Sequence, residues 1–186
     1  MVMLETSRLL LRPIAIENLQ EKYLIGRHPD YYEFDGFERL PDGSKRSRTL
    51  EETRKKLEER IGEFALQGFG QWAVVLKETR AFIGWAGLQF YLLDHGTYST
   101  PEIELFYGLS RVYWGQGLIT EASGKLVHYG FHTLKLQRIT GCTARQNFRS
   151  QAVMKRMGMT VGAHPSESES LLGVLDNPAL AGITLG

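Results

Sequence analysis

Trp114-Gly115-Gln116-Gly117-Leu118-Ile119 sets two glycines one residue apart, just ahead of an apolar, helix-like run. A turn of that kind directs several backbone N–H groups at one spot, and the positive end of the following helix adds to their field. The chemistry it suits is the holding of a phosphate. Two better-known phosphate loops do not fit. Thr120 stands where a dinucleotide fingerprint needs its third glycine, and no Lys-Ser or Lys-Thr follows the pair as a nucleoside-triphosphate loop requires.

Just upstream, Glu102-Ile103-Glu104-Leu105-Phe106-Tyr107-Gly108-Leu109 alternates acidic and apolar residues. Period two puts Glu102, Glu104 and Phe106 on one face, opposite Ile103, Leu105 and Tyr107. A glutamate beside an aromatic ring on a half-buried face suits proton removal through water, and its proton affinity is expected to be raised. Each acid also has a plainer reading, as solvated surface or as an ion pair with Arg111 or Arg138. For Glu104 the two readings stand side by side. For Glu102 the plainer one is the better account.

Other candidates are weaker. Asn147 and Ser150, three residues apart, project from the first turn of a helix toward one region, although Asn147 as a cap and Ser150 as first-turn polarity would explain them equally. His128 and His132 are four apart on a helix, but no third ligand or HExxH pattern accompanies them, so no metal site is expected. Cys142, the single cysteine, sits in a strand-like run and reads as a small buried residue rather than a nucleophile. Glu121, in a helix's first turn, is explained by the dipole alone. Arg145, Arg149 and Arg156 form a basic edge.

The elements that must position these groups follow from pattern. Arg8–Pro13 reads as a first strand and Ile14 to about Ile25 as a helix with Ile16, Leu19 and Tyr23 on one face. Residues 28–48 show no sustained period, and a loop this long suggests a binding loop; its aromatics, Tyr31, Tyr32, Phe34 and Phe37, argue that it packs. Thr49-x-x-Glu52 is a capping box, with Leu57, Ile61, Phe64 and Ala65 as the stripe behind it and Gly68 as the stop. Strands are expected at Gln71–Leu76, Ala81–Tyr91, Glu102–Leu109 and Arg138–Ala144. A helix is expected from about Leu118 to Leu134, facing inward with Ala122, Leu126, Tyr129 and Phe131. Asn147 opens a further helix ending at Gly158, and strands near Met159–Gly162 and Leu171–Leu175 follow, flanking a solvated turn at Ser166–Glu169.

Three segments carry a family resemblance: Glu5-Thr6-Ser7-Arg8-Leu9-Leu10-Leu11-Arg12-Pro13, then Tyr113-Trp114-Gly115-Gln116-Gly117-Leu118 with Thr120-Glu121-Ala122, then Asn147-Phe148-Arg149-Ser150. Together they resemble the GNAT N-acetyltransferases, especially the ribosomal-protein N-terminal acetyltransferase-like (RimJ/RimL-like) branch. One departure is Val112, where the wider superfamily places Gln or Arg. The resemblance implies an acyl-CoA N-acyltransferase fold, α/β (α+β), with a mixed, mostly antiparallel central sheet of about seven strands flanked by helices. It implies one domain over 1–186 and acetyl-CoA as co-substrate, with no metal. Pantetheine would lie against Tyr107, Gly108 and Leu109, and the diphosphate on Trp114, Gly115, Gln116, Gly117, Leu118 and Ile119. Asn147 would bond the pantetheine arm and Ser150 would lie near the sulfur and protonate the departing thiolate; Glu104, by its place on the strand one short step before the cofactor edge, is the first choice for the base.

The implied reaction is direct attack by a primary amine, either a protein or peptide N-terminus or a small molecule such as an aminoglycoside or polyamine. The acceptor groove is expected between residues 31–40, the Glu102/Glu104 strand and the hairpin near His164–Glu169, with Asp30, Glu33, Asp35 and Glu38 attracting a cation. The alternatives are an antibiotic-detoxifying acetyltransferase, a non-catalytic acyl-CoA-binding regulatory module, and thioester hydrolysis or acyl-carrier binding. The 186 residues carry a net charge of only +1, which argues against nucleic acid or bare membrane as partner. A lone cysteine and no long apolar run point to a cytoplasmic location, and a monomer or homodimer is expected.

Overall fold

The computed structural model describes residues 2–34 and 37–180. In chain order the strands are β1 (Leu4–Glu5), β2 (Leu9–Pro13), β3 (Phe37–Arg39), β4 (Lys45–Ser47), β5 (Gln71–Leu76), β6 (Phe82–Asp94), β7 (Ser99–Leu109), β8 (Arg138–Ala144), β9 (Thr160–Ala163) and β10 (Ser170–Asp176). The helices are α1 (Leu19–Gly26), α2 (Pro29–Tyr32), α3 (Leu50–Gln67), α4 (Leu118–His132) and α5 (Phe148–Arg156). Eight strands form one sheet in the order β1-β2-β5-β6-β7-β8-β10-β9, and β3 with β4 forms a separate hairpin. The eighth strand, beyond the seven expected, is the two-residue β1. The pairs β1–β2, β2–β5, β5–β6, β8–β10 and β9–β10 are antiparallel, and β7–β8 is parallel. The expected mixed, mostly antiparallel sheet is therefore present.

The chain divides into two compact units, Met1–Gly87 with Tyr107–Ala122, and Leu88–Phe106 with Ser123–Gly186. In the first, Leu9, Leu11, Leu57, Trp72, Val74 and Ile83 are wholly buried. Thr49 and Glu52 close the capping box at the start of α3, and Gly68 ends it at φ +76°. Phe64 of α3 meets Trp72 of β5 edge to face at 4.8 Å, which fixes the helix on the sheet. In the second unit, Leu88, Leu126 and Ile139 are wholly buried, joined by Val153, Met154 and Met159.

Three expectations need correction. The first helix begins as a 3-10 turn at Ile16–Asn18, which turns Ile16 out to solvent and buries Asn18 in its place. Asn18 then accepts from Arg12 Nη1 at 3.1 Å. On α3 the buried face is Thr53, Leu57 and Phe64, with Ile61 half-buried and Ala65 exposed. Residues 28–48 are not a structureless loop, since they hold α2 and the β3–β4 hairpin. Asp35 lies outside the described residues.

Candidate active site

Two left-handed residues build the glycine turn. Gly115 has φ +76° and Gly117 φ +74°, angles at which a Cβ is strained, so glycine is favoured at both positions where the chain folds back. Ser110-Arg111-Val112-Tyr113 makes a short 3-10 turn off the end of β7, and Trp114 Nε1 donates to Leu109 O at 2.7 Å. The loop and the first turn of α4 are thus held to the strand end that precedes them. Gly108 fits a different need: a Cβ there would stand 2.5 Å from the Trp85 ring and 2.8 Å from Tyr31. Tyr31 in turn packs edge to face on Trp85, with Lys22 Nζ 3.5 Å from the centre of a Trp85 ring. A cavity of about 360 Å³ lies here, lined by Leu24, Ile25, His28, Tyr31 and the Leu109–Val112 turn with Trp114.

The N-terminal motif proves to be a clamp on this loop. Glu121 accepts from Thr6 Oγ1 at 2.5 Å, Ser7 Oγ at 3.2 Å, the Arg8 amide at 3.0 Å and Arg8 Nε at 2.7 Å. Arg8 Nη1 also donates to Gln116 O at 3.0 Å, inside the glycine turn. Burial alone would raise the Glu121 pKa, but the bonds from Thr6 and Arg8 outweigh it and bring it down to about 2. The helix dipole is therefore only part of what Glu121 does.

In the second unit the two glutamates of β7 part company. Glu102 is ion-paired with Arg138 of β8, its side chain 3% exposed. That is the plainer reading. Glu104 stands opposite Thr140 of β8, and Oε2 accepts from Gln89 Nε2 of β6 at 2.5 Å. Gln89 Oε1 is buried without a hydrogen-bond partner among the described residues. Cys142, on the Glu104 side of β8, is held as a thiol. Burial pushes its pKa up to about 12, helped by the Glu104 charge. Cys142 is half-buried rather than fully buried as its strand-like run suggested.

Asn147 caps α5, its side chain accepting the Ser150 amide at 3.1 Å. His128 and His132 lie exposed on α4 with ring centres 4.1 Å apart, and no group of metal ligands occurs among the described residues. In residues 28–48 two of the acids are offset by bases. Asp30 pairs with Arg111, and Glu38 with Arg48 at 2.8 Å. Sequence reasoning passed over Gln89 and Tyr91. Their one signal was polar residues at alternate positions in the otherwise apolar run of β6.

A strand, a two-glycine turn and the helix that it opens give the chain a phosphate-binding arrangement at the end of β7. Residues 8–160 match the Acetyltransferase (GNAT) domain, and the chain belongs to this family of acetyltransferase enzymes. It is 27% identical over 145 residues to the "Uncharacterized N-acetyltransferase p20" of Bacillus licheniformis, covering 77% of this chain and 74% of the relative. The acetyltransferase of Agrobacterium tumefaciens strain C58 superposes with a TM-score of 0.76 at 26% identity, covering 94% of each chain. A ribosomal L7/L12 alpha-N-protein acetyltransferase, RimL, in complex with coenzyme A shares the fold, with a TM-score of 0.73 at 14% identity over 96% of this chain and 99% of the other. No described helix is long and apolar enough to cross a membrane.

Proposed function

We propose that this enzyme transfers the acetyl group of acetyl-CoA to a primary amine by direct attack on the thioester. The observation that carries this reading is the Gly115/Gly117 turn, built by two left-handed glycines at the start of α4 and clamped by Arg8. Its N–H groups suit the diphosphate. Backbone at Tyr107, Gly108 and Leu109 would pair with the amides of the pantetheine arm, as a strand added to a sheet edge. Asn147 would donate to the same arm, and its cap uses only Oδ1.

An alkyl ammonium, with a pKa of about 10, must lose a proton before its nitrogen can attack. Glu104 would take that proton through a water, while Gln89 Oε1 offers a second acceptor oxygen beside it. The nitrogen then bonds to the thioester carbon and becomes cationic, and N–H groups near Leu109 bind the oxyanion. Collapse breaks the C–S bond to expel the coenzyme A thiolate while the nitrogen gives up its second proton, which Ser150 would relay to that sulfur. The acceptor is a peptide N-terminus or a small-molecule amine. RimL, an alpha-N-protein acetyltransferase by its description, favours the former. The ion pairs at Asp30 and Glu38 weaken the case for recruiting a cation by the charge of residues 28–48.

The test is coenzyme A release from acetyl-CoA with peptides, polyamines, aminoglycosides and amino acids, in wild type and Glu104→Gln. A positioned base is worth ~100- to 10,000-fold, so the variant should lose turnover in that range with acetyl-CoA affinity nearly intact. An unchanged rate would remove Glu104 from the chemistry. Release only with non-amine acceptors would overturn the reaction itself.

A further inference from the structure

The peptide between Gln116 and Gly117 decides what the glycine turn offers to a ligand. A trans peptide is planar, and its C=O and N–H point in opposite directions. Arg8 Nη1 donates to Gln116 O at 3.0 Å, so that carbonyl faces Arg8 and the Gly117 N–H faces away from it. Gly115 has φ +76° and Gly117 φ +74°, and neither carries a Cβ to hinder rotation of the peptides between them. Left to itself, the 116–117 plane could turn over and present a carbonyl oxygen where an anion needs a donor. Arg8 holds it one way. Its Nη2 also stands beside Gly117, 3.8 Å from where a Cβ of that residue would be.

Arg8 is itself aimed from two sides. Its carbonyl accepts from the Lys77 amide at 2.9 Å, which ties its backbone to the edge of the sheet. Its Nε and Nη2 lie 2.7 and 2.6 Å from Glu121 Oε2, which fixes the guanidinium plane and leaves Nη1 for Gln116. Glu121 Oε1 accepts from Thr6, Ser7 and the Arg8 amide, so the carboxylate is held in one orientation. The Glu121 amide donates to Gly117 O at 3.0 Å, and the peptide on the other side of Gly117 is thereby held too. All of these residues belong to the first unit.

We infer that Arg8 and Glu121 are positioning residues for the diphosphate of the co-substrate: the carboxylate aims the guanidinium, and the guanidinium aims the Gly117 N–H into the site. This rests on the reading of the turn as the diphosphate site. Arg8 acts by direction rather than by charge, because Glu121 stands 2.6 Å from the guanidinium and a paired charge leaves only the field of a dipole. Charge and direction predict opposite signs for Glu121→Gln. Were charge the agent, removing the carboxylate would unmask Arg8 and tighten the binding of an anion. With direction as the agent, the same change loosens the guanidinium and weakens binding, although the site has lost a negative charge.

Calorimetric titration of acetyl-CoA into wild type, Arg8→Ala and Glu121→Gln reads that sign. Arg8→Ala should raise Kd about tenfold, the scale of one hydrogen bond to a charged group, and Glu121→Gln about threefold. The KM for acetyl-CoA should rise with Kd, while kcat at saturating acetyl-CoA stays near wild type, since neither side chain touches the reacting atoms. In isotope-labelled wild type the Gly117 amide proton should move downfield when coenzyme A is added, as an N–H bonded to phosphate does, and should move much less in Arg8→Ala.

Unchanged or tighter binding in Glu121→Gln, with a melting curve showing the variant folded, would overturn the role of the carboxylate. Wild-type Kd and an undiminished Gly117 shift in Arg8→Ala would overturn that of the guanidinium. Gly117→Val separates both from the reading beneath them. If it abolishes binding while Arg8→Ala binds as wild type does, only the positioning fails. If Gly117→Val itself binds as wild type does, the turn is not the diphosphate site and that assignment fails first.

Discussion

Glu121→Gln removes one charge and leaves the side chain's shape. In the wild type the carboxylate is lowered from 4.5 to about 2 by the bonds from Thr6 and Arg8, against the opposing effect of burial. At about 1.4 kcal/mol per tenfold change in proton affinity, that lowering corresponds to at most ~3.4 kcal/mol. Arg8 is 46% exposed while Glu121 is 18% exposed, so solvent screens part of the interaction. A stabilisation of about 1 to 2 kcal/mol at pH 7 is what remains. For a chain of this size the variant should melt roughly 3 to 6 °C lower.

The pH dependence gives a sharper test. The folded pKa is depressed, so the unfolded chain binds more protons between about 2 and 4.5. The contribution is thus fully present above the unfolded value and is lost as pH falls through the folded one. About two-fifths of the gap between wild type and variant should be gone by pH 3.5, by the same linkage. Urea unfolding of both proteins at pH 7, 5 and 3.5 measures this directly. Equal stability at pH 7, or a gap that does not narrow with acid, would refute the clamp as an electrostatic device.

Two further outcomes follow from backbone geometry. Gly117→Val puts a β-branched residue at φ +74°, which should abolish acetyl-CoA binding in calorimetric titration; wild-type affinity in the variant would dismiss the turn as the diphosphate site. Gly108→Ala sets a methyl group 2.5 Å from the Trp85 ring, and should cost about 1 to 3 kcal/mol of stability together with a raised KM for acetyl-CoA; an unaltered melting curve would mean the Trp85–Tyr31 pair yields freely.

Long, periodic elements were readable from the chain alone. β5 and β8 have the bounds that pattern assigns, and the Thr49/Glu52 box and the Asn147 cap form as their residue types require. Local chemistry decides such elements. The β3–β4 hairpin escaped notice because three-residue strands offer no apolar period. Its surroundings are tied instead by Arg46 to Glu52 and Arg48 to Glu38, pairs whose meeting only the fold determines. Ile16 misled because a 3-10 start shifts the angular phase of everything before α1. The Glu104 surroundings draw on β6, β7 and β8, and no spacing in the sequence records that assembly.

The pairing of acids with bases in residues 28–48 bears on kinetics. An isolated carboxylate acts on an approaching cation across a Debye length, whereas a tight ion pair is a small dipole whose field fades within a few ångströms. Asp30 with Arg111 and Glu38 with Arg48 are pairs of this kind. They steer nothing from afar. These two pairs therefore contribute little to the long-range capture of a cation, and raising the ionic strength changes their contribution little.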